Sequence, residues 1–324
     1  MPGCARIAEG LMNTETMSTE PSLAAAMDRI AGQMVGRQHE LELVLAAVDA
    51  GRDIVLEGPP GTSKTTMLKA ITAHWSVPLM FVEGNADLTP AKLIGHHNPA
   101  RVLREDYSTA NFVPGPLVEA MEAGGFLYIE EFNRAPEDTL NTLLTAMADR
   151  QIAVPRVGVI TARPSFRVIA SMNPLDDVGT ARLSTSVHDR MCRLAVGYQD
   201  AAAEEAIVAL RTRPRAALLE PGLRDRLTSD AVAVTRATRV HADVRQGSSV
   251  RGAIDCVLVA AGLARLRGVT STRHEEYGRV LLDAMIVALS GRIHLDAAAQ
   301  ITPEELLREI WEEHLVLRAA AAPG

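Results

Sequence analysis

Residues 57–66 read EGPPGTSKTT and stand between a short apolar run and a helical pattern. Phosphate-binding loops have the spacing G-x-x-x-x-G-K-[ST], because small residues let backbone N–H groups close around phosphate. Gly58 through Thr65 follow that spacing, except that Ser63 replaces the second glycine. A single mismatch leaves a plain Gly/Pro turn before a helix as the alternative.

The mismatch at Ser63 matters only if the backbone there needs a glycine. Glycine permits a left-handed conformation or a close approach of another group. If Ser63 has helical φ instead, only its size matters, and serine is small. Lys64 can reach the β- and γ-phosphates from this loop, and Thr65 can ligate Mg²⁺. ATP and Mg²⁺ are therefore the expected cofactors, and the candidate nucleotide-binding residues are Gly58, Pro59, Pro60, Gly61, Thr62, Ser63, Lys64, Thr65 and Thr66.

A second motif, GGFLYIEEFNRAP, occupies residues 124–136 and ends an apolar run with Glu130 and Glu131. The carboxyl ends of parallel strands line the crevice in which nucleotides bind. Glu130 is then placed toward the metal and Glu131 toward the attacking water. The alternative is a strand that ends in solvated charges. A third motif, SFRVIASMNP at residues 165–174, places Asn173 where its amide could orient water, although Asn-Pro is also an ordinary turn sequence.

Short apolar runs alternate with helical patterns through the first part of the chain. The runs lie at residues 53–57, 79–83, 125–130, 165–171 and 192–198. This alternation predicts an α/β domain with a parallel sheet flanked by helices. We assign residues 21–200 to this domain, residues 201–324 to a separate all-helical domain and residues 1–20 to a disordered tail.

Composition excludes several classes of protein. The net charge is −7, with 33 basic and 40 acidic residues, so we do not expect nucleic acid to be a partner. The three cysteines, Cys4, Cys192 and Cys256, are too far apart for a disulfide framework or a zinc site. No apolar run is long enough to cross a bilayer, which leads us to expect no membrane insertion and a cytoplasmic location.

These motifs together resemble the MoxR family of AAA+ ATPases, including the relatives called CbbQ and NorQ. The resemblance covers about residues 30–320 and rests on the loop, on DLTPAKLIG, FVPGPLVEAM, EEFNRAPEDTLNTLLTAM and IASMNP, and on SSVRGAI. It implies an AAA+ core with a helical lid, ATP hydrolysis and a homo-oligomeric ring, expected to be a hexamer. It also implies a client enzyme that the ring remodels or activates, and a partner with a von Willebrand A domain.

The resemblance also assigns roles to individual residues. Asn173 resembles the first sensor of this family, and Arg251 resembles the second, which reaches the γ-phosphate from the lid. Arg190 occupies the place of the arginine finger that acts on the neighbouring subunit's ATP. Arg182 and Arg193 are rivals for that role, and a solvated arginine is the alternative.

Further positions follow from the same resemblance. Val35 and Gly36 are expected to contact adenine, and Asn85 to restrain the second acid of the Glu pair. Residues 98–115 and 151–166 are expected to form two β-hairpin inserts that face a central pore; packing loops are the alternative.

One departure from the family bears on activity: Glu130 stands where such motifs usually have Asp. The extra methylene alters the distance to a metal that demands tight octahedral geometry, so we expect slow turnover. Two other functions stay open, the motor subunit of a metal-chelatase and a nucleotide-gated scaffold with little hydrolysis.

Overall fold

The computed structural model describes residues 23–105, 107–174 and 185–321. The strands are β1 Ile54–Glu57, β2 Leu79–Glu83, β3 Gly95–His97, β4 Phe112–Pro114, β5 Phe126–Glu130, β6 Gln151–Val154, β7 Gly158–Thr161, β8 Arg167–Met172, β9 Cys192–Ala195, β10 Val244–Gln246 and β11 His294–Leu295. The helices are α1 Leu23–Ala31, α2 Gln38–Asp49, α3 Lys64–Trp75, α4 Pro90–Ile94, α5 Pro99–Glu105, α6 Pro116–Ala123, α7 Glu137–Asp149, α8 Thr185–Arg190, α9 Ala201–Ala216, α10 Pro221–Ala237, α11 Val250–Arg267, α12 Tyr277–Leu289 and α13 Pro303–Ala321. The predicted tail at residues 1–20 and the rival Arg182 lie outside the described residues.

A five-stranded sheet forms the centre of the first domain, in the order β2-β5-β8-β1-β9. All neighbouring pairs are parallel. The central strands are buried along nearly their whole length, as expected where helices cover both faces. Since the strands run the same way, their carboxyl ends meet at one edge, where Glu57 is paired with Met172 and Ala195. The predicted parallel α/β core is confirmed.

Helices pack on the two faces of this sheet. On one face the apolar stripe of α2, which includes Leu41 and Leu45, packs with α1 and with Met67 and Leu68 of α3. On the other face α6 and α7 bury Leu117 and related residues against β5 and β8. The sheet therefore holds the loop between β1 and α3 on a rigid platform.

Two antiparallel strand pairs extend from this core. β6 and β7 pair directly, from Gln151 opposite Thr161 to Val154 opposite Gly158. β3 and β4 also pair, but α5 and a short 3₁₀ helix, Thr109–Asn111, lie between them. The first insert is therefore a strand pair that carries a helix, and it begins before residue 98.

The residues from 201 onward contain helices α9–α13, which share one buried cluster that includes Val257, Leu281 and Leu306. A short antiparallel pair, β10 with β11, departs from the all-helical expectation. These strands place Val244 and Leu295 against the helical cluster, which gives the pair a packing role. No helix in the described ranges combines the length and apolar character needed to cross a bilayer.

Candidate nucleotide-binding site

The loop at residues 58–63 joins the buried end of β1 to the first turn of α3, as the sequence predicts. Gly58 lies so close to the backbone carbonyl of Val196 that a side chain there would overlap it. Gly61 has φ +77°, and a Cβ on it would lie 2.6 Å from Oγ of Ser249. Neither glycine can be replaced without moving backbone or the lid.

Ser63 has φ 66° and ψ 17°, a left-handed conformation. The condition of helical φ, under which only the size of Ser63 would matter, is therefore not met. This position uses the conformational freedom of glycine, and a serine there is strained. The loop keeps its shape because β1 and α3 fix both ends.

Lys64 begins α3 and folds its ammonium group back over the loop. Its Nζ donates to the carbonyls of Gly58 at 2.8 Å and Pro59 at 3.0 Å. Burial lowers the pKa of Lys64 to about 8, opposed by the charge of Glu130 and assisted by Arg37 and Arg251. A partly desolvated cation in a ring of backbone groups is suited to bind an anion such as a phosphate.

Thr65 and Glu130 meet beneath the loop. The hydroxyl of Thr65 donates to Oε1 of Glu130 at 3.1 Å and lies 3.2 Å from the hydroxyl of Tyr128. Tyr128 in turn lies 2.8 Å from Oγ of Ser171, and burial raises its pKa. Hydroxyl and carboxylate oxygens are the ligands that Mg²⁺ prefers, so the side chains fit that ion.

Tyr128 was not predicted as part of this site. A signal was present, because residues i and i+2 of a strand share a face and Tyr128 lies two positions before Glu130. Its burial at 0% exposure forces the hydroxyl to find partners, which are Thr65 and Ser171.

Glu131 follows β5 in a left-handed conformation with φ 53°. Its carboxylate forms an ion pair with Arg134 at 3.0 Å, and both side chains are partly exposed. The amide of Asn85, which was expected to restrain Glu131, instead accepts from the backbone of Asp87 and donates to that of Glu83. The carboxylate of Glu131 is therefore paired with Arg134, three residues along the chain.

Asn173 directly follows β8, the neighbour of both β1 and β5. It therefore lies at the same sheet edge as the loop and the acidic pair. Its backbone carbonyl accepts from Nδ2 of Asn133 at 3.4 Å, which links it to the turn after Glu131.

The first turn of α11 lies directly over the loop. Ser249 caps this helix, accepting from the backbone N–H of Arg251 at 3.3 Å, and its Oγ faces Gly61. The stem of Arg251 also lies near Gly61, 3.6 Å from a Cβ placed there. The lid thus brings a cation to the loop, where Arg251 was expected.

Val35 and Gly36 precede α2, and Gly36 lies beside the start of α9. Gly36 has φ +65° and contacts the first turn of α9 and the side chain of Gln199. Arg37, which is buried, donates to the carbonyl of Gly197 at 2.6 Å and pairs with Glu40. No local sequence pattern singled out Arg37 or Gln199, which packing brings beside these residues.

Arg190 lies at the opposite edge of the sheet. It ends α8 just before β9, whose first residue pairs with Ile54 at the start of β1. The length of β1, four residues or roughly 13 Å, separates Arg190 from the phosphate-binding loop of the same chain. It borders a cavity of about 350 Å³ together with Arg52, Arg150 and Arg167. Arg193 is the other described candidate for the arginine finger. Its Nε donates a hydrogen bond to the buried carboxylate of Glu57 in the same chain.

Comparisons with known proteins agree with this arrangement. Residues 53–191 match the family described as AAA domain (dynein-related subfamily). This chain has the AAA+ P-loop fold. The AAA+ fold explains why the loop, the acidic pair and Asn173 lie on successive strand ends.

Two curated relatives cover most of the chain. An uncharacterised protein of Bacillus subtilis, YojN, is 29% identical over 230 residues, which are 69% of this chain and 72% of YojN. The gas vesicle ATPase GvpN of Ancylobacter aquaticus is 26% identical over 235 residues, which are 67% of this chain. The match spans 63% of GvpN, less than two thirds of its length.

Solved structures show the same AAA+ fold at low sequence identity. Two variants of RuvB from Thermotoga maritima superpose with TM-scores of 0.52 and 0.51 at 16% and 18% identity. Each superposition covers 79% of this chain and 71% of RuvB.

Proposed function

We propose that this protein is a Mg²⁺-dependent ATPase of the MoxR type. The observation that carries this proposal is the convergence at one sheet edge of Lys64, the Thr65–Glu130 pair and Arg251 from the lid. Each group has the chemistry that a nucleoside triphosphate requires at that position. The similarity to a protein named as an ATPase, GvpN, supports the assignment.

The proposed mechanism assigns one task to each residue. The loop amides and Lys64 hold the phosphates, and Lys64 exchanges its carbonyl contacts for the β- and γ-phosphates. Glu131 leaves Arg134 and accepts a proton from the attacking water, while the amide of Asn173 orients that water. An exposed ion pair stabilises a protein by about 1 kcal/mol or less, so separating Glu131 from Arg134 costs little free energy.

Thr65 and Glu130 would hold Mg²⁺, which neutralises charge on the phosphates when bound. Arg251 would sense the γ-phosphate from the lid and couple hydrolysis to lid movement. Val35 and Gly36 would contact the adenine. These roles follow the resemblance to the MoxR family, and the positions of Thr65, Glu130 and Arg251 support the roles proposed for those three residues.

We further propose that the protein acts as a cytoplasmic ring, expected to be a hexamer, with Arg190 completing the site of a neighbouring subunit. The ring would remodel or activate a client enzyme together with a protein that has a von Willebrand A domain. The second candidate is a nucleotide-gated scaffold with little hydrolysis, which Glu130 favours because it stands where such motifs usually have Asp.

The test is phosphate release from ATP, measured with and without Mg²⁺. We expect Lys64→Ala to lose ATP binding and turnover, and Glu131→Gln to bind ATP but release almost no phosphate. Lys69→Ala is the matched control, since Lys69 is exposed on the same helix. Equal turnover in the wild type and Glu131→Gln would support the scaffold, and unchanged ATP binding in Lys64→Ala would overturn the nucleotide site.

A further inference from the structure

The cavity of about 350 Å³ at the sheet edge opposite the nucleotide loop is lined by an excess of positive charge. Four arginines border it, and Asp53 is the one acid among the described residues that do so. The arginines are Arg52 before β1, Arg150 after α7, Arg167 at the start of β8 and Arg190 at the end of α8. Burial, and then the charge of Arg150, lowers the pKa of Arg167. Like charges at this spacing repel one another, and a bound anion would relieve that repulsion.

Asp53 does little to balance these charges. Its Oδ1 accepts a hydrogen bond from the backbone N–H of Val168 at 2.6 Å, which joins the starts of β1 and β8. Burial raises the pKa of Asp53, in opposition to that hydrogen bond and to the charges of Arg150, Arg167 and Arg52. The carboxylate is therefore engaged by the backbone, and most of the positive charge is left for a ligand to balance.

Backbone carbonyls hold two of the arginines in fixed orientations. Arg150 donates from Nη1 to the carbonyl of Phe166 and from Nη2 to that of Arg163, both at 2.9 Å. Arg167 donates from Nη1 to the carbonyls of Pro164 and Phe166, both at 2.6 Å. Carbonyl groups orient a guanidinium without cancelling its charge. Groups that are ordered before a ligand arrives reduce the entropic cost of binding it.

Other donors at the cavity remain accessible to a ligand. Nη2 of Arg167 makes no hydrogen bond within the described residues and is not enclosed by protein. The absence of a side chain at Gly51 keeps this atom open, because a Cβ there would lie 2.9 Å from it. Arg52 is exposed, and its side chain forms no hydrogen bond or ion pair with any described residue. A ligand can therefore reach both side chains without breaking a contact of theirs.

The arrangement of the arginines favours phosphate as the ligand group. Arg52, Arg150 and Arg167 lie on three separate segments, so their guanidinium groups can meet oxygens that point in different directions. A phosphate group presents oxygens in this way, whereas a carboxylate presents two oxygens in one plane. The volume of the cavity lies in the range of small-molecule sites, roughly 300–1,000 Å³.

We propose that this cavity is a second anion site, separate from the nucleotide loop, which binds a small ligand carrying several phosphate groups. The arginines that carry the proposal are Arg52, Arg150 and Arg167, and none of them has a part in the ATPase mechanism proposed above. The inference therefore goes beyond that function and does not depend on it.

The test measures the binding of inorganic tripolyphosphate to Lys64→Ala, a variant in which the loop of every subunit is inactivated. We expect calorimetry to show saturable binding of one tripolyphosphate per chain. Binding should weaken about tenfold in the double variant Lys64→Ala/Arg52→Gln, the effect of losing one charge-assisted hydrogen bond. The matched control is Lys64→Ala/Arg273→Gln, which changes the net charge equally at an exposed lid position and should bind as Lys64→Ala does.

Further probes identify the class of ligand. Pyrophosphate should bind more weakly than tripolyphosphate, and orthophosphate more weakly still, because fewer oxygens meet the arginines. Citrate has a charge similar to that of pyrophosphate but carries it on carboxylates, and it should bind more weakly than pyrophosphate. Citrate binding as tight as that of pyrophosphate would overturn the assignment to phosphate and indicate a site for carboxylates, such as an acidic peptide.

The remaining outcomes separate two sources of phosphate. No binding of tripolyphosphate to Lys64→Ala would overturn the proposal, since the cavity would then meet phosphate only as a nucleotide held by another subunit's loop. Equal binding with and without Arg52→Gln would overturn it as well. The ATPase proposal fails on a different measurement, unchanged ATP binding in Lys64→Ala, whereas the effect of Arg52→Gln on tripolyphosphate reports on the cavity alone.

Discussion

At the scale of single residues, two residues at the site have left-handed backbone conformations, which glycine adopts more readily than other residues. Ser63 and Glu131 have φ of 66° and 53°, and both lie where the proposed chemistry takes place. Left-handed residues other than glycine persist where the surrounding structure holds them, and they concentrate at functional sites. Ser63 is held between β1 and α3, and Glu131 between β5 and the 3₁₀ turn that carries Arg134.

Replacement of Ser63 by glycine should relieve strain. We expect Ser63→Gly to raise the free energy of unfolding by roughly 1 kcal/mol, because the left-handed conformation has no steric cost for glycine. Chemical denaturation of the two proteins measures this difference. Ser76, with φ 53° at the end of α3, is the matched control. Ser76→Gly should also stabilise, and only Ser63→Gly should alter ATP affinity. A loss of stability in Ser63→Gly alone would contradict this account.

At the scale of elements, the site depends on how α11 meets the loop. The helix begins at Val250, and Ser249 both caps it and contacts Gly61. One side chain thus fixes the start of the helix and the distance between lid and loop. Arg251, in the first turn, takes its position from that contact. The loop and the lid helix are separated by almost the whole α/β core in sequence, so only their packing joins them.

The cap of α11 can be tested against another cap. Ser249→Ala should lower the free energy of unfolding by about 1 kcal/mol, the usual cost of losing an N-cap. Thr89→Ala removes the cap of α4, where Thr89 accepts from the N–H of Lys92 at 3.3 Å, and should cost a similar amount. We expect only Ser249→Ala to reduce ATP turnover, as measured by phosphate release. Equal turnover in the two variants would show that the contact with Gly61 has no part in activity.

At the scale of the whole molecule, Arg190 and the loop lie at opposite edges of one sheet. A single subunit cannot bring them together without breaking the parallel pairing of β1 and β9. A second copy can, if its loop meets the edge that carries Arg190. The cluster of Arg52, Arg150, Arg167 and Arg190 around one cavity makes that edge positively charged, which suits a surface that meets phosphate.

Mixing two inactive variants tests this arrangement. Arg190→Ala should bind ATP but turn it over at least tenfold more slowly, since an arginine finger supplies transition-state charge. Lys64→Ala should be inactive but still offer Arg190 to its neighbour. An equal mixture should recover about a quarter of wild-type turnover if subunits assemble at random in a ring. No recovery would contradict action between subunits. Arg193→Ala should lose stability instead, because Arg193 is bonded to Glu57.

The sequence alone determined the local units and their order. The predicted apolar runs became β1, β2, β5, β8 and β9, and the central strands β1, β5 and β8 are buried because helices cover both faces of the sheet. The spacing of Gly58, Lys64 and Thr65, and the position of the acids after β5, followed from local motifs that need no distant contact. The sequence did not indicate the left-handed backbone of Ser63, since a dihedral angle depends on what holds both ends of the loop.

Only the tertiary structure decided which distant residues share the site. Thr65 meets Glu130 and Tyr128 because β5 and β1 flank β8, an order that no local pattern records. Arg251 comes to lie beside Gly61 of the loop, and Gln199 comes to lie beside Gly36 through the turn between core and lid. These contacts join segments far apart in sequence, and they are fixed by close packing, whose outcome depends on the shapes of all the elements at once.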